Sequence, residues 1–201
     1  MADQLDLLSL FQTVAGALED NQDSLNKADT HNGDHGDNMV EIFNLVANAV
    51  GEKSSSSPSD QLKSAGKALK KTKSGSAQVY ADGLFEAADT FQDQPITTDN
   101  AMTLVQTLLG GGTAASSGAD SNLMGMLGGM LGGEDDQLDA GDLLNAGLAF
   151  LSAKNRGDST SEALIQAVIS NSPLGEVPHR AESSQVVIST ILENLGSFVN
   201  K

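Results

Sequence analysis

Cysteine and tryptophan are absent from the 201 residues, tyrosine occurs once, and aromatics make up 3%. Without cysteine there is no disulfide, no thiolate zinc or iron–sulfur site and no cysteine nucleophile, so any metal would be a hard cation on oxygen ligands. With so few aromatics the core must be built from Leu, Val, Ile, Ala and Met, which suits close helix packing better than a β-sandwich. Basic residues are scarce: 11 Lys+Arg against 27 Asp+Glu give a formal charge of -16. That balance excludes functions resting on sequence-independent attraction to nucleic acid or to an anionic membrane. No apolar run approaches the roughly 18 residues of a membrane span, and the opening MADQLDLLSLF lacks the basic flank of a signal peptide. The expectation is a cytoplasmic chain without a membrane anchor, folded as one domain over 1–201.

Apolar spacing predicts helices along most of the chain. Leu5, Leu8, Phe11, Val14, Ala15 and Leu18 recur at three- and four-residue intervals over Gln4–Glu19. A polar loop from Asn21 to Asp37 then leads to a helix over Asn38–Val50, with Met39, Ile42, Phe43, Val46 and Val50 inward and Gly51 past its end. Glu52 to Ser59 reads as a solvated linker, and Asp60 as the cap of a helix to Lys71. Helical periodicity returns over Gly75–Phe91 and Asp99–Leu109, the latter capped by Thr98 or Asp99. Gly110 to Gly133 holds nine of the 21 glycines and three of the six methionines, too many for a confident helix, and is expected as a loop with a sticky segment. Helices over Asp139–Lys154 and from Ser159 to Ile169 follow, the second opened by a capping box of Ser159 and Glu162. The loop Asn171–Arg180 is broken by Pro173, Gly175 and Pro178, and Val187, Ile188, Ile191, Leu192, Leu195 and Val199 stripe a terminal helix. No segment alternates with period two, so the fold class is all-α, with seven or eight helices and no internal repeat.

The most informative string is Asn32-Gly33-Asp34-His35-Gly36-Asp37-Asn38-Met39. Two glycines permit tight turns, and carboxylates crowd just before a helix. Such oxygen ligands beside helix N–H groups are what a Mg²⁺ site bridging phosphates needs. An EF-hand fails on arithmetic, because the twelfth position counted from Asp29 or Asn32 is Val40 or Phe43 instead of Glu.

With Leu25-Asn26 five residues upstream, this string resembles the signature of the nucleotide-binding subunit of dihydroxyacetone kinase and of the N-terminal domain of fatty acid kinase. The resemblance implies a barrel of about eight antiparallel helices in which acidic residues hold two Mg²⁺ ions that bridge the phosphates of ADP or ATP. It assigns Asp34 as the clearest metal ligand, with Asp29 and Asn32 as companions and Asp37 as a possible substitute. His35, Gly36, Asp37 and Asn38 would lie along the phosphates. Asn32 departs from the family's Asp and coordinates a hard cation more weakly. Gly75-Ser76-Ala77, followed by Tyr80, resembles a Ser-Ser-Gly phosphate turn; Ser76 keeps the hydroxyl, while Ala77 replaces a glycine. Gly157-Asp158-Ser159-Thr160 resembles a Gly-Asp-Lys-Thr segment, which brings Thr160 and Ser161 to the nucleotide and puts Ser159 where the family has Lys. Leu174-Gly175-Glu176 resembles the start of a lid; Val177 replaces its Arg, leaving His179 and Arg180 as the nearby phosphate contacts. The segment 110–133 has no counterpart.

The resemblance also implies a separate substrate-binding partner subunit, since the chain offers no obvious nucleophile of its own; a homodimer is left open. Plainer readings stand beside it. His31, His35 and His179 read equally as loop histidines bonded to backbone, Ser159 and Thr160 as helix caps, and Arg180 as a surface ion-pair partner. Asn32, Ala77 and Val177 fit a relative that kept the fold as a binding or regulatory module but lost the metal–nucleotide site. An acidic helical protein with no ligand is the third reading. Convergence of Asp29, Asp34 and Asp37 on one point would favour the metal; divergence of Asp29 and Asp37 would count against two ions.

Overall fold

The computed structural model describes residues 4–92, 94–97, 100–109, 169, 174 and 177–199. The expected helix over 139–154, most of that over 159–169 and the segment 110–133 lie outside the described residues. Seven helices are defined there: α1 Leu7–Asp20, α2 Gln22–Ala28, α3 His35–Gly51, α4 Pro58–Leu69, α5 Gly75–Thr90, α6 Ala101–Leu108 and α7 Pro178–Val199. Strands are absent among the described residues; Gln4 and Thr97 form one isolated antiparallel bridge, and Leu5 N–H donates to Ile96 O at 2.8 Å. The all-α expectation is met, and no described helix is long and apolar enough to cross a membrane.

The expected inward faces are the buried ones except at the start of α1, where Leu7 and Leu10 are buried and Leu8 is only half-buried. Leu10, Phe11, Val14 and Leu18 of α1 are buried with Met39, Ile42, Phe43, Val46 and Val50 of α3, each side chain stabilising the fold by about 1.5–3 kcal/mol. An aromatic line crosses three helices, Phe11 to Phe43 at 6.4 Å and Phe43 edge-on to Tyr80 at 5.1 Å between ring centroids. α4 lies along α5 and α3, and α7 closes against α1.

Helix boundaries differ from expectation where local capping decides them. α1 starts at Leu7 because Asp6 accepts hydrogen bonds from the N–H groups of Leu8 and Ser9. α4 starts at Pro58, with Ser57 as its cap. Ser57 Oγ accepts from Asp60 N–H at 3.2 Å and donates to the Asp60 carboxylate at 3.0 Å, so Asp60 reciprocates the cap instead of forming it. The loop expected over Asn21–Asp37 contains α2, a helix of seven residues with a single buried apolar side chain, Leu25, and therefore no apolar stripe to announce it. α3 begins three residues earlier than expected, at His35, and α7 begins at Pro178, inside the expected loop.

Candidate functional site

A cleft of about 1100 Å³ opens where three stretches distant in sequence meet: the α2–α3 loop, the α4–α5 loop and the start of α7. Three helices, α3, α5 and α7, begin at this cleft, so the partial positive ends of three backbones face one space. All three histidines of the chain line it. So do three carboxylates, Asp29, Asp34 and Glu41, and three permanent cations, Lys71, Lys73 and Arg180. The strong negative excess of the whole chain is therefore cancelled here.

The α2–α3 loop is shaped by its first and last acids. Asp29 is 7% exposed, and its carboxylate accepts the His31 N–H at 2.9 Å. That hydrogen bond holds its pKa below the ordinary value, with His179 and the N–H groups of Asn32 and Asp34 adding to it and burial opposing. Gly33 turns the chain with φ of 70°, a conformation that costs glycine little. Asp34 sits at the cap position of α3 but makes no capping bond; it accepts from Asn38 Nδ2 at 2.7 Å. Asp34, Asn38 and Glu41 then follow at helical spacing along the cleft side of α3.

The cap that Asp34 does not supply comes from α2. Asn26 Oδ1 accepts from the N–H groups of Gly36 at 2.7 Å and Asp37 at 3.2 Å. Asp37 in turn accepts from Gln22 Nε2 at 2.6 Å and Asn26 Nδ2 at 2.8 Å, and these bonds, Asn26 first, lower its pKa. Gly36 is no turn residue: a Cβ there would stand 2.2 Å from Gln22 O, so its bareness lets α2 and α3 touch.

At the floor, His35 is 5% exposed, and its Nε2 lies 2.9 Å from Ser183 Oγ, which itself donates to Arg180 O at 3.0 Å. A hydroxyl that donates elsewhere must accept here, which fixes His35 as the neutral Nε2–H tautomer. Burial, followed by the neighbouring His179, lowers the His35 pKa to about 4. His179 packs edge-on at 4.7 Å between ring centroids, with its Nδ1 3.7 Å from Asp29 Oδ1.

Asp29, Asn32, Asp34, His35 and Asn38 are thus brought together with Ser76, His179 and Arg180. Gly36 and Asp37 face α2 instead. Ala77 is buried behind Ser76, its N–H donating to the Ser74 cap at 3.4 Å, so it is spent on the helix start. Thr160 and Ser161 lie outside the described residues. Lys71 and Lys73 went unassigned in the sequence, although Lys70-Lys71-Thr72-Lys73 is its densest basic stretch and stands just before the phosphate-turn-like Gly75-Ser76. Lys70 pairs with Asp82 at 2.6 Å, whereas no carboxylate among the described residues pairs with Lys71, Lys73 or Arg180.

Two Mg²⁺ ions need several carboxylates converging on one point. Here Asp37 turns to α2, Asn32 is neutral, and the Asp29 carboxylate is taken up by backbone N–H groups. No group of three acidic or histidine side chains placed to hold a metal occurs among the described residues. This donor set does not fit a two-ion centre. Compared with family models, curated proteins and solved structures, the chain matches none.

Proposed function

We propose that the chain binds the phosphates of ADP or ATP in this cleft, as the nucleotide-binding subunit of a two-component kinase of the dihydroxyacetone kinase or fatty acid kinase type. The carrying observation is that three stretches singled out in the sequence, around Asp34, Ser76 and Arg180, line one cleft. Cations and helix N-termini there offset phosphate charge, as a phosphoryl-transfer site requires. Ser183, beside the cleft, is 1% exposed and engaged with His35 and Arg180 O, so it is not available as an acceptor. A separate protein would present the acceptor hydroxyl or carboxylate.

A thermal-shift titration with ADP and ATP, with and without Mg²⁺, tests this. A ligand that binds only the folded state at a hundred times its Kd stabilises by about 2.7 kcal/mol, so the melting temperature rises with nucleotide. No shift at millimolar nucleotide sinks the proposal. The second reading, a binding or regulatory module without transfer activity, is favoured by one observation, the turning of Asp37 toward α2. It predicts no shift of the melting temperature with ADP or ATP, with or without Mg²⁺.

A further inference from the structure

We infer that the cleft takes phosphate groups directly on protein cations, backbone N–H groups and the Ser76 hydroxyl, with no bridging metal ion. This rests on the reading of the cleft as a phosphate site and specifies how the site works. A carboxylate wall that recruits metal would need several free acids; of the three that line the cleft, Asp29 is engaged by backbone N–H groups and His179, and Asp34 by Asn38, which leaves Glu41 alone. The opposite charge is present without such partners. Arg180 reaches over the first residue of α5, where a Cβ on Gly75 would stand 2.9 Å from Nη2. A guanidinium at a helix N-terminus sets positive charge against positive dipole, an arrangement that an anion between them turns from unfavourable to favourable.

Ser76 supplies the independent sign of a ligand. It lines the cleft, is only 4% exposed, and its hydroxyl has no hydrogen-bond partner among the described residues. The hydroxyl is reached from the cleft and is free to donate to an incoming phosphate oxygen. Lys71 and Lys73, on the loop leading into α5, add two charges on the same side. Together these groups supply the charge that a metal pair supplies elsewhere, and phosphate oxygens accept from guanidinium, hydroxyl and amide donors without competition from metal coordination.

The test measures binding of ADP and of inorganic pyrophosphate by titration calorimetry, in excess EDTA and in millimolar MgCl2. Affinity in EDTA is expected to be equal to or higher than in Mg²⁺, since Mg²⁺ neutralises the ligand charge that the cations recognise. Ser76→Ala and Arg180→Gln should each weaken binding about tenfold, with the unliganded melting temperature held. The double variant Lys71→Gln/Lys73→Gln should weaken it and flatten its salt dependence. A loss of tenfold or more on removing Mg²⁺ overturns the inference while leaving the nucleotide reading intact. Pyrophosphate binding in EDTA without ADP binding upholds the inference and overturns the nucleotide reading. Absence of binding by both ligands in both buffers overturns the two together.

Discussion

Asn26 caps a helix that does not contain it: its Oδ1 accepts the Gly36 N–H at 2.7 Å and the Asp37 N–H at 3.2 Å, ten and eleven residues away. Through Nδ2 it also holds the Asp37 carboxylate. Asn26→Ala removes the cap and one partner of Asp37 together. It should lower stability by about 2 kcal/mol, the upper end for a lost N-cap, read from urea unfolding. A change within a few tenths would show that α3 holds its N-terminus without help from α2.

Gly36→Ala should be the more damaging change, despite adding a single methyl. The clash at 2.2 Å is with a backbone oxygen, Gln22 O, which no rotamer change relieves. The expected loss is about 3 kcal/mol, because α2 must move off α3. Gly16, whose added Cβ would meet nothing within 4 Å, is the control: Gly16→Ala should stabilise by about 0.5–1 kcal/mol through helix propensity alone.

Stability should rise with pH between about 4 and 6.5 because of His35. Its folded pKa is lowered to about 4 from 6.5, chiefly by burial, so within that window the unfolded chain binds the extra proton. The contribution is complete above pH 6.5 and is lost as pH falls toward 4, to a total of about 3 kcal/mol. His35→Gln keeps an amide donor for Ser183 and should flatten the curve in urea melts run from pH 4 to 7. An unchanged pH slope would mean that the imidazole is not held neutral.

Tyr80→Phe should be neutral or stabilising by up to about 1 kcal/mol. The Tyr80 and Ser184 hydroxyls are both buried, and although they neighbour one another neither closes a hydrogen bond. Burial also raises the Tyr80 pKa, so the phenol stays neutral. Removing the hydroxyl deletes an uncompensated polar group while the edge-on contact with Phe43 survives. A loss above 1 kcal/mol in thermal melts would show that the hydroxyl has a partner in solution.

The fold was legible wherever an apolar stripe ran for three turns or more. Phe11, Val14 and Leu18, and the α3 set from Met39 to Val50, could be placed inward from spacing alone, whereas in the first turn the stripe through Leu8 passed over the buried Leu7 and Leu10. α2 was not legible, because one buried leucine in seven residues leaves no period to detect. The cleft was half legible. Motif order pointed to Asp34, Ser76 and Arg180, but whether Asp37 faces a ligand or a neighbouring helix depends on Asn26 and Gln22, long-range partners that local pattern does not encode. Lys71, expected at the end of α4, and Lys73 just beyond it carried no motif, and only the approach of Arg180 to Gly75, 105 positions earlier, sets them beside a second cation at the cleft.

His35 and Ser183 are 148 residues apart in the chain, yet they meet at 2.9 Å beneath the cleft. Closing so long a stretch of chain costs entropy that grows only slowly with its length, so the seam between α3 and α7 has to be recovered from local contacts. A ligand spanning Ser76 on α5 and Arg180 on α7 would add a reversible cross-link from α5 to the same end of α7. Amide hydrogen exchange in the first turns of α7 would then slow in proportion to occupancy, making the terminal helix a reporter of whatever the cleft holds.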